Sequence, residues 1–151
     1  MAHNYSLVRE QWLPKQTEVA FAFFSRPENL EEITPPWLAF HIVRAEPELH
    51  AGSIIEYKLR IRGIPTRWTS EITVWEPPLR FVDTQLSGPY AKWRHEHTFS
   101  AERGGTRIRD HVDYVLPFGI LGRLVHALLV RRDVETIFQY RRQRLAELLG
   151  E

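Results

Sequence analysis

Two histidines, His95 and His97, stand at i and i+2 in the segment WRHEHTF, Trp93 to Phe99. Strand alternation puts both on one face with Trp93 and Phe99, and leaves Lys92, Arg94, Glu96 and Thr98 on the other. In the next alternating segment Ile108, Asp110, Val112, Tyr114 and Leu116 share a face. A turn centred near Arg103-Gly104 then sets Phe99 opposite Ile108 and His97 opposite Asp110. This register predicts a hydrogen bond between His97 and Asp110, and an imidazole oriented by a carboxylate is an acid/base pair poised near neutral pH. The two histidines with Asp110 also have the donor types of a metal site, but His111 falls on the outer face and leaves no third histidine. The plainer alternative is a pair of interior histidines satisfied by Asp110, Gln85 or water.

The flanking segments add polar groups to the same side. In RFVDTQL, Phe81 shares its face with Asp83 and Gln85. The inner faces before it read Trp68, Ser70, Ile72 and Val74, and Tyr57, Leu59 and Ile61. Burying polar groups is costly unless they are paired or hydrated, so a few of them among aromatic rings is the composition of a cavity that orients a ligand. The expected ligand-binding set is Tyr57, Trp68, Asp83, Gln85, Trp93, His95, His97, Asp110 and Tyr114, with His97 and Asp110 as the catalytic candidates.

These side chains need a sheet to hold them. Tyr5 to Leu13 reads as a first strand, followed by two short helices, Thr17 to Phe24 and Pro27 to Ile33, stopped by Pro35-Pro36. From Ala39 the period is two. Strands are expected over Ala39 to Arg44, Ile54 to Arg62, Arg67 to Trp75, Arg80 to Leu86, Ala91 to Ser100 and Thr106 to Leu116. Turn signals separate them, among them Gly63 to Pro65 and Arg103-Gly104-Gly105, and such short connections imply an antiparallel meander. Gly119 to Leu149 reads as one long helix with Leu121, Leu124, Leu128, Phe138, Leu145 and Leu149 as its apolar positions. Its arginines, Arg123, Arg131, Arg132, Arg141, Arg142 and Arg144, read as a solvated face paired with Asp133, Glu135 and Glu147, the alternative being contact with phosphate or lipid head groups. The plan is α+β: an antiparallel sheet wrapped round a long C-terminal helix, with two short helices after the first strand.

Composition narrows the function classes. The 151 residues fit a single domain, 1–151, and 26% charged with 43% hydrophobic residues is an ordinary globular balance. Twenty basic against nineteen acidic side chains, net charge +1, argue against a nucleic-acid partner. The absence of cysteine excludes disulfides and thiolate chemistry. No leader-like start and no run near the roughly 18 apolar residues of a membrane span occur, so a cytoplasmic protein without stable membrane insertion is expected.

The order of elements, RPENLEEITPPWL (Arg26 to Leu38), the PP-x-x-F-x-D-x-Q run through Pro77, Phe81, Asp83 and Gln85, GPY-x-x-W-x-H-x-H-x-F (Gly88 to Phe99) and LPFG (Leu116 to Gly119) resemble the SRPBCC superfamily. That helix-grip group includes START-type lipid-transfer domains, birch-pollen-allergen-like proteins, polyketide cyclases and coenzyme-Q-binding proteins. The resemblance covers nearly the whole chain and looks closest to small bacterial members of unassigned function. It implies a seven-stranded curved sheet gripping the last helix, an elongated apolar cavity between them, a cavity mouth near Leu116 to Gly122, and neither metal nor cofactor. Such a scaffold hosts several activities. Three readings follow: a carrier or sensor of a small hydrophobic or aromatic molecule such as a lipid, quinone or polyketide; a cyclase- or dehydratase-type enzyme using His97 with Asp110, with Tyr114 or Tyr57 donating to an oxyanion; and a protein-interaction subunit whose interior Trp68 and Trp93 fill.

Overall fold

In residues 3–150, which the computed structural model describes, seven strands form one antiparallel sheet. They are β1 (Asn4–Leu13), β2 (His41–Arg44), β3 (Ile54–Ile61), β4 (Ile64–Glu76), β5 (Arg80–Ser87), β6 (Lys92–Glu102) and β7 (Gly105–Val115), in the spatial order β1-β7-β6-β5-β4-β3-β2. Helices α1 (Thr17–Phe24) and α2 (Glu28–Glu32) follow β1, and the chain ends in α3 (Gly119–Val125), a π-helical turn (His126–Val130) and α4 (Arg131–Leu149). The expected α+β helix-grip plan is therefore the observed one.

Turn chemistry sets the register. Arg62-Gly63 and Arg103-Gly104 each join two strands with both residues at positive φ (51° and 80°, 48° and 73°), the twist a two-residue hairpin needs. The first of these turns is tighter than the sequence suggests: Pro65 sits inside β4 opposite Arg60, not in the turn. The second pairs Phe99 with Ile108 and His97 with Asp110, as alternation predicts. Just past it, a Cβ on Gly105 would lie 2.3 Å from the Leu13 carbonyl oxygen and 2.7 Å from the Trp12 ring. Gly105→Ala is expected to cost about 1–3 kcal/mol by overpacking, read as a fall in urea midpoint.

A bulge between Ile72 and Val74 corrects a second expectation. It turns Trp75, rather than Val74, toward the core, where its ring packs 4.9 Å from Phe21 and 5.4 Å from Phe81. Phe21 and Phe24 of α1 close that end of the sheet against Phe99, at 5.1 and 5.5 Å.

The last helix departs most from expectation. Val134, Phe138, Leu145 and Leu149 form the buried stripe of α4, and Arg141 falls in the same stripe by helical spacing. Leu121, Leu124 and Leu128 do not pack on the sheet; they are 61%, 57% and 66% exposed, and only Gly122 and His126 are buried from Gly119 to Val130.

Candidate functional site

His95 and His97 occupy the middle of the sheet, between β5 and β7. The backbone sets Asp83 opposite His95 and Asp110 opposite His97. The side chains cross over instead of meeting straight across. His95 Nε2 lies 2.8 Å from Asp110 Oδ1, and His97 Nε2 lies 2.8 Å from Asp83 Oδ2. The expected His97–Asp110 pair persists as a 3.3 Å approach of His97 Nδ1 to Asp110 Oδ1, but the two shorter hydrogen bonds are the diagonal ones. Ring stacking explains the exchange: His97 lies between Phe81 and His95, with centroids 3.9 and 3.7 Å away. A ring held in such a column presents its nitrogens edgewise, toward the diagonal carboxylates.

Arg141 reaches down from α4 to complete the cluster. Its Nη2 donates to Asp110 Oδ1 at 3.1 Å and to His97 Nδ1 at 3.3 Å, while the guanidinium packs over Phe24 and Phe138. Sequence reading placed this residue among the solvated arginines, yet its side chain is only 12% exposed. The missed signal was the spacing Val134, Phe138, Arg141, Leu145, an arginine within an apolar stripe. The other arginines of this helix do reach the surface, where Arg144 pairs with Glu32 and Glu147 and Arg142 donates to the Glu10 carbonyl.

Electrostatics follow from burial and neighbours. Burial alone would raise the Asp110 carboxyl, but the Arg141 charge first and the His95 hydrogen bond next hold it well below the usual range. Asp83 is likewise lowered, its burial outweighed by the His97 hydrogen bond and nearby positive charge. Burial first, and His97 second, push His95 down to about 4, so its ring is neutral at pH 7. Asp83, His95 and His97 bring one donor atom each within 4.8 Å of one another. A divalent ion held by His95 Nδ1, His97 Nε2 and Asp83 would have to displace the His97–Asp83 hydrogen bond and sit beside the Arg141 cation, so the donor set fits a closed polar cluster better than a metal.

Beside this cluster lies a cavity of about 560 Å³ between the sheet and α4. Tyr57, Leu59, Trp68 and Trp93 line the sheet side, Ile137 and Phe138 the helix side, and His95 and Arg141 the polar end. The Trp68 ring sits 5.8 Å from Tyr57 and 5.3 Å from Trp93, and its Nε1–H is satisfied by Ser70 Oγ at 2.9 Å. Burial, then the Asp83 charge, raises the Tyr57 hydroxyl well above its ordinary value, so it stays a donor. Also on the cavity wall, Arg62 of the β3–β4 turn makes a two-point ion pair with Asp133 of α4, Nε–Oδ2 3.0 Å and Nη2–Oδ1 2.8 Å.

Of the nine residues named from sequence, Tyr57, Trp68, Trp93 and His95 line this cavity. Asp83, His97 and Asp110 stand behind His95 in the hydrogen-bonded cluster. Gln85 is spent on the β5–β6 loop, bonding both the N–H and the carbonyl of Tyr90. Tyr114 faces a separate cleft of about 920 Å³ between β1 and α3, where its hydroxyl meets His126 Nε2 at 2.7 Å.

A seven-stranded antiparallel sheet gripping a long C-terminal helix, with short helices after the first strand, defines a helix-grip protein of the SRPBCC superfamily. Residues 13–137 match the family described as polyketide cyclase / dehydrase and lipid transport, and the chain belongs to that family. Protein CV1439 from Chromobacterium violaceum has a similar fold, at 12% identity and TM-score 0.76 with 97% of each chain covered. TTHA0849 from Thermus thermophilus is similar at 20% identity and TM-score 0.68, over 95% of this chain and 99% of that one. The major latex-like protein 151 of Panax ginseng is similar at 16% identity and TM-score 0.59, over 88% and 96%. No curated protein matches the chain. Among the described residues, no helix is long and apolar enough to cross a membrane.

Proposed function

We propose that the protein is a carrier of a small, mainly apolar molecule with aromatic character, held between the sheet and α4. The observation behind this reading is the cavity of about 560 Å³, whose aromatic wall runs up to a buried polar patch of His95 and Arg141. Covering apolar ligand surface contributes about 25 cal/mol per Å², enough for useful affinity without chemistry. The unfilled volume counts against the reading in which Trp68 and Trp93 pack the interior solid. Leu59 faces the cavity, and Leu59→Trp fills part of it. Titration calorimetry with apolar aromatic compounds should give at least about tenfold weaker binding to that variant. Unchanged affinity would place the ligand elsewhere.

A second reading, a cyclase- or dehydratase-type enzyme, draws on the His95 ring. Its Nε2 is fixed by Asp110, while its Nδ1 has no hydrogen bond among the described residues, the nearest Asp83 oxygen being 3.8 Å away. That arrangement moves the acid/base role from His97 to His95, with Asp110 as the positioning residue. His95→Gln should then abolish turnover of a bound carbonyl compound while leaving its binding within about threefold. Equal turnover in the variant would reject the enzyme reading.

A further inference from the structure

The polar end of the cavity is incomplete. Both hydrogen bonds made by the Arg141 guanidinium use Nη2; Nη1 and Nε have none among the described residues, and Nε is fully buried. A buried cationic donor without an acceptor is costly and rare in folded proteins. The same residue lines the cavity beside His95. We propose that a neutral carbonyl-type oxygen of the ligand, as in a ketone, quinone, ester or amide, completes the Arg141 fork; this rests on the carrier reading above. A neutral acceptor fits this place better than a carboxylate: Asp110 already pairs with Arg141 at 3.1 Å and Asp83 stands in the same cluster, so a ligand carboxylate would bring a third acidic group to a buried cation that is already paired.

The test is calorimetric titration of three matched probes, 2-acetylnaphthalene, 2-isopropylnaphthalene and 2-naphthoate, into the wild-type protein and into Arg141→Leu/Asp110→Asn, which removes the opposed charges as a pair. The ketone should bind the wild type at least about tenfold more tightly than the hydrocarbon, and the advantage should vanish in the double variant. Equal binding of ketone and hydrocarbon to the wild type overturns the inference and leaves the apolar cavity standing. Tightest binding of the naphthoate overturns the neutral class. No binding of any probe removes the carrier reading and this inference with it.

A different surface carries a second inference. From Phe118 to Leu129 the chain exposes Phe118, Ile120, Leu121, Leu124 and Leu128, each more than half exposed, with Val125 and Leu129 beside them. So large a contiguous apolar surface on a monomer marks an interface. Between Asp113 and Asp133 there is no acidic residue, while Arg123, Arg131 and Arg132 are present. The geometry points to peripheral docking of this helix on an anionic lipid surface, since a second copy would set the same arginines against each other. The cavity-lining residues Val130 and Arg132 adjoin this surface. In flotation with phosphatidylcholine vesicles, adding 30 mol% phosphatidylglycerol should raise the bound fraction at least about fivefold, and Ile120→Asp/Leu124→Asp should remove it. Vesicle binding indifferent to charge, no binding, or a dimer in solution that this variant dissociates would overturn the assignment.

Discussion

Replacing Arg141 with leucine is expected to lower folding stability by about 3–5 kcal/mol, because it leaves the buried Asp110 carboxylate without its cation. Arg141 Nη2 is 3.1 Å from Asp110 Oδ1, and both side chains are close to 10% exposed, at 12% and 11%. Breaking such a pair on one side costs more than the pair itself contributes. The double replacement Arg141→Leu/Asp110→Asn should therefore recover at least about half of the loss, and urea unfolding of the three variants measures it. A loss under about 1 kcal/mol for Arg141→Leu alone would mean that solvent, not Arg141, neutralises Asp110.

Acid should unfold the protein in two stages. His95 is lowered from 6.5 to about 4, by burial first and His97 second, so the unfolded chain binds its proton before the folded one. Where the unfolded state holds more protons, stability rises with pH. Stability supplied by neutral His95 is therefore complete above about pH 6.5 and lost as pH falls to about 4, a change of roughly 3 kcal/mol. Below that, Asp110 and Asp83, both held under the ordinary carboxylate value, take up protons and remove the rest of the cluster's contribution. Unfolding free energy measured from pH 7 to 3.5 should show the first slope, and His95→Gln should flatten it. A wild-type profile flat between pH 6.5 and 4 would contradict a buried, neutral His95.

Much of this arrangement is legible in the sequence, for reasons that are local. The β6–β7 register follows from a two-residue glycine turn and strict alternation, so the pairing of His97 with Asp110 on the backbone is readable without coordinates. The hydrogen bonds are not, because they depend on ring planes fixed by Phe81 from another strand. Val74 and Trp75 exchange roles through a bulge that no turn residue announces. Arg141 was hidden by its neighbours: Arg142 and Arg144 reach solvent, and charge alone does not separate them from an arginine in the stripe. Leu121, Leu124 and Leu128 have helical spacing, but a cleft separates α3 from β1 and leaves all three exposed, which only the three-dimensional arrangement reveals.

That the cavity between the sheet and α4 holds a small molecule can be tested by native mass spectrometry of protein purified without denaturant. The expected result is a noncovalent adduct, recoverable by organic extraction as a mainly apolar compound bearing a carbonyl oxygen, and absent or depleted in Leu59→Trp prepared in parallel. Wild-type protein that is free of adduct and takes up no apolar carbonyl compound added in excess would contradict it.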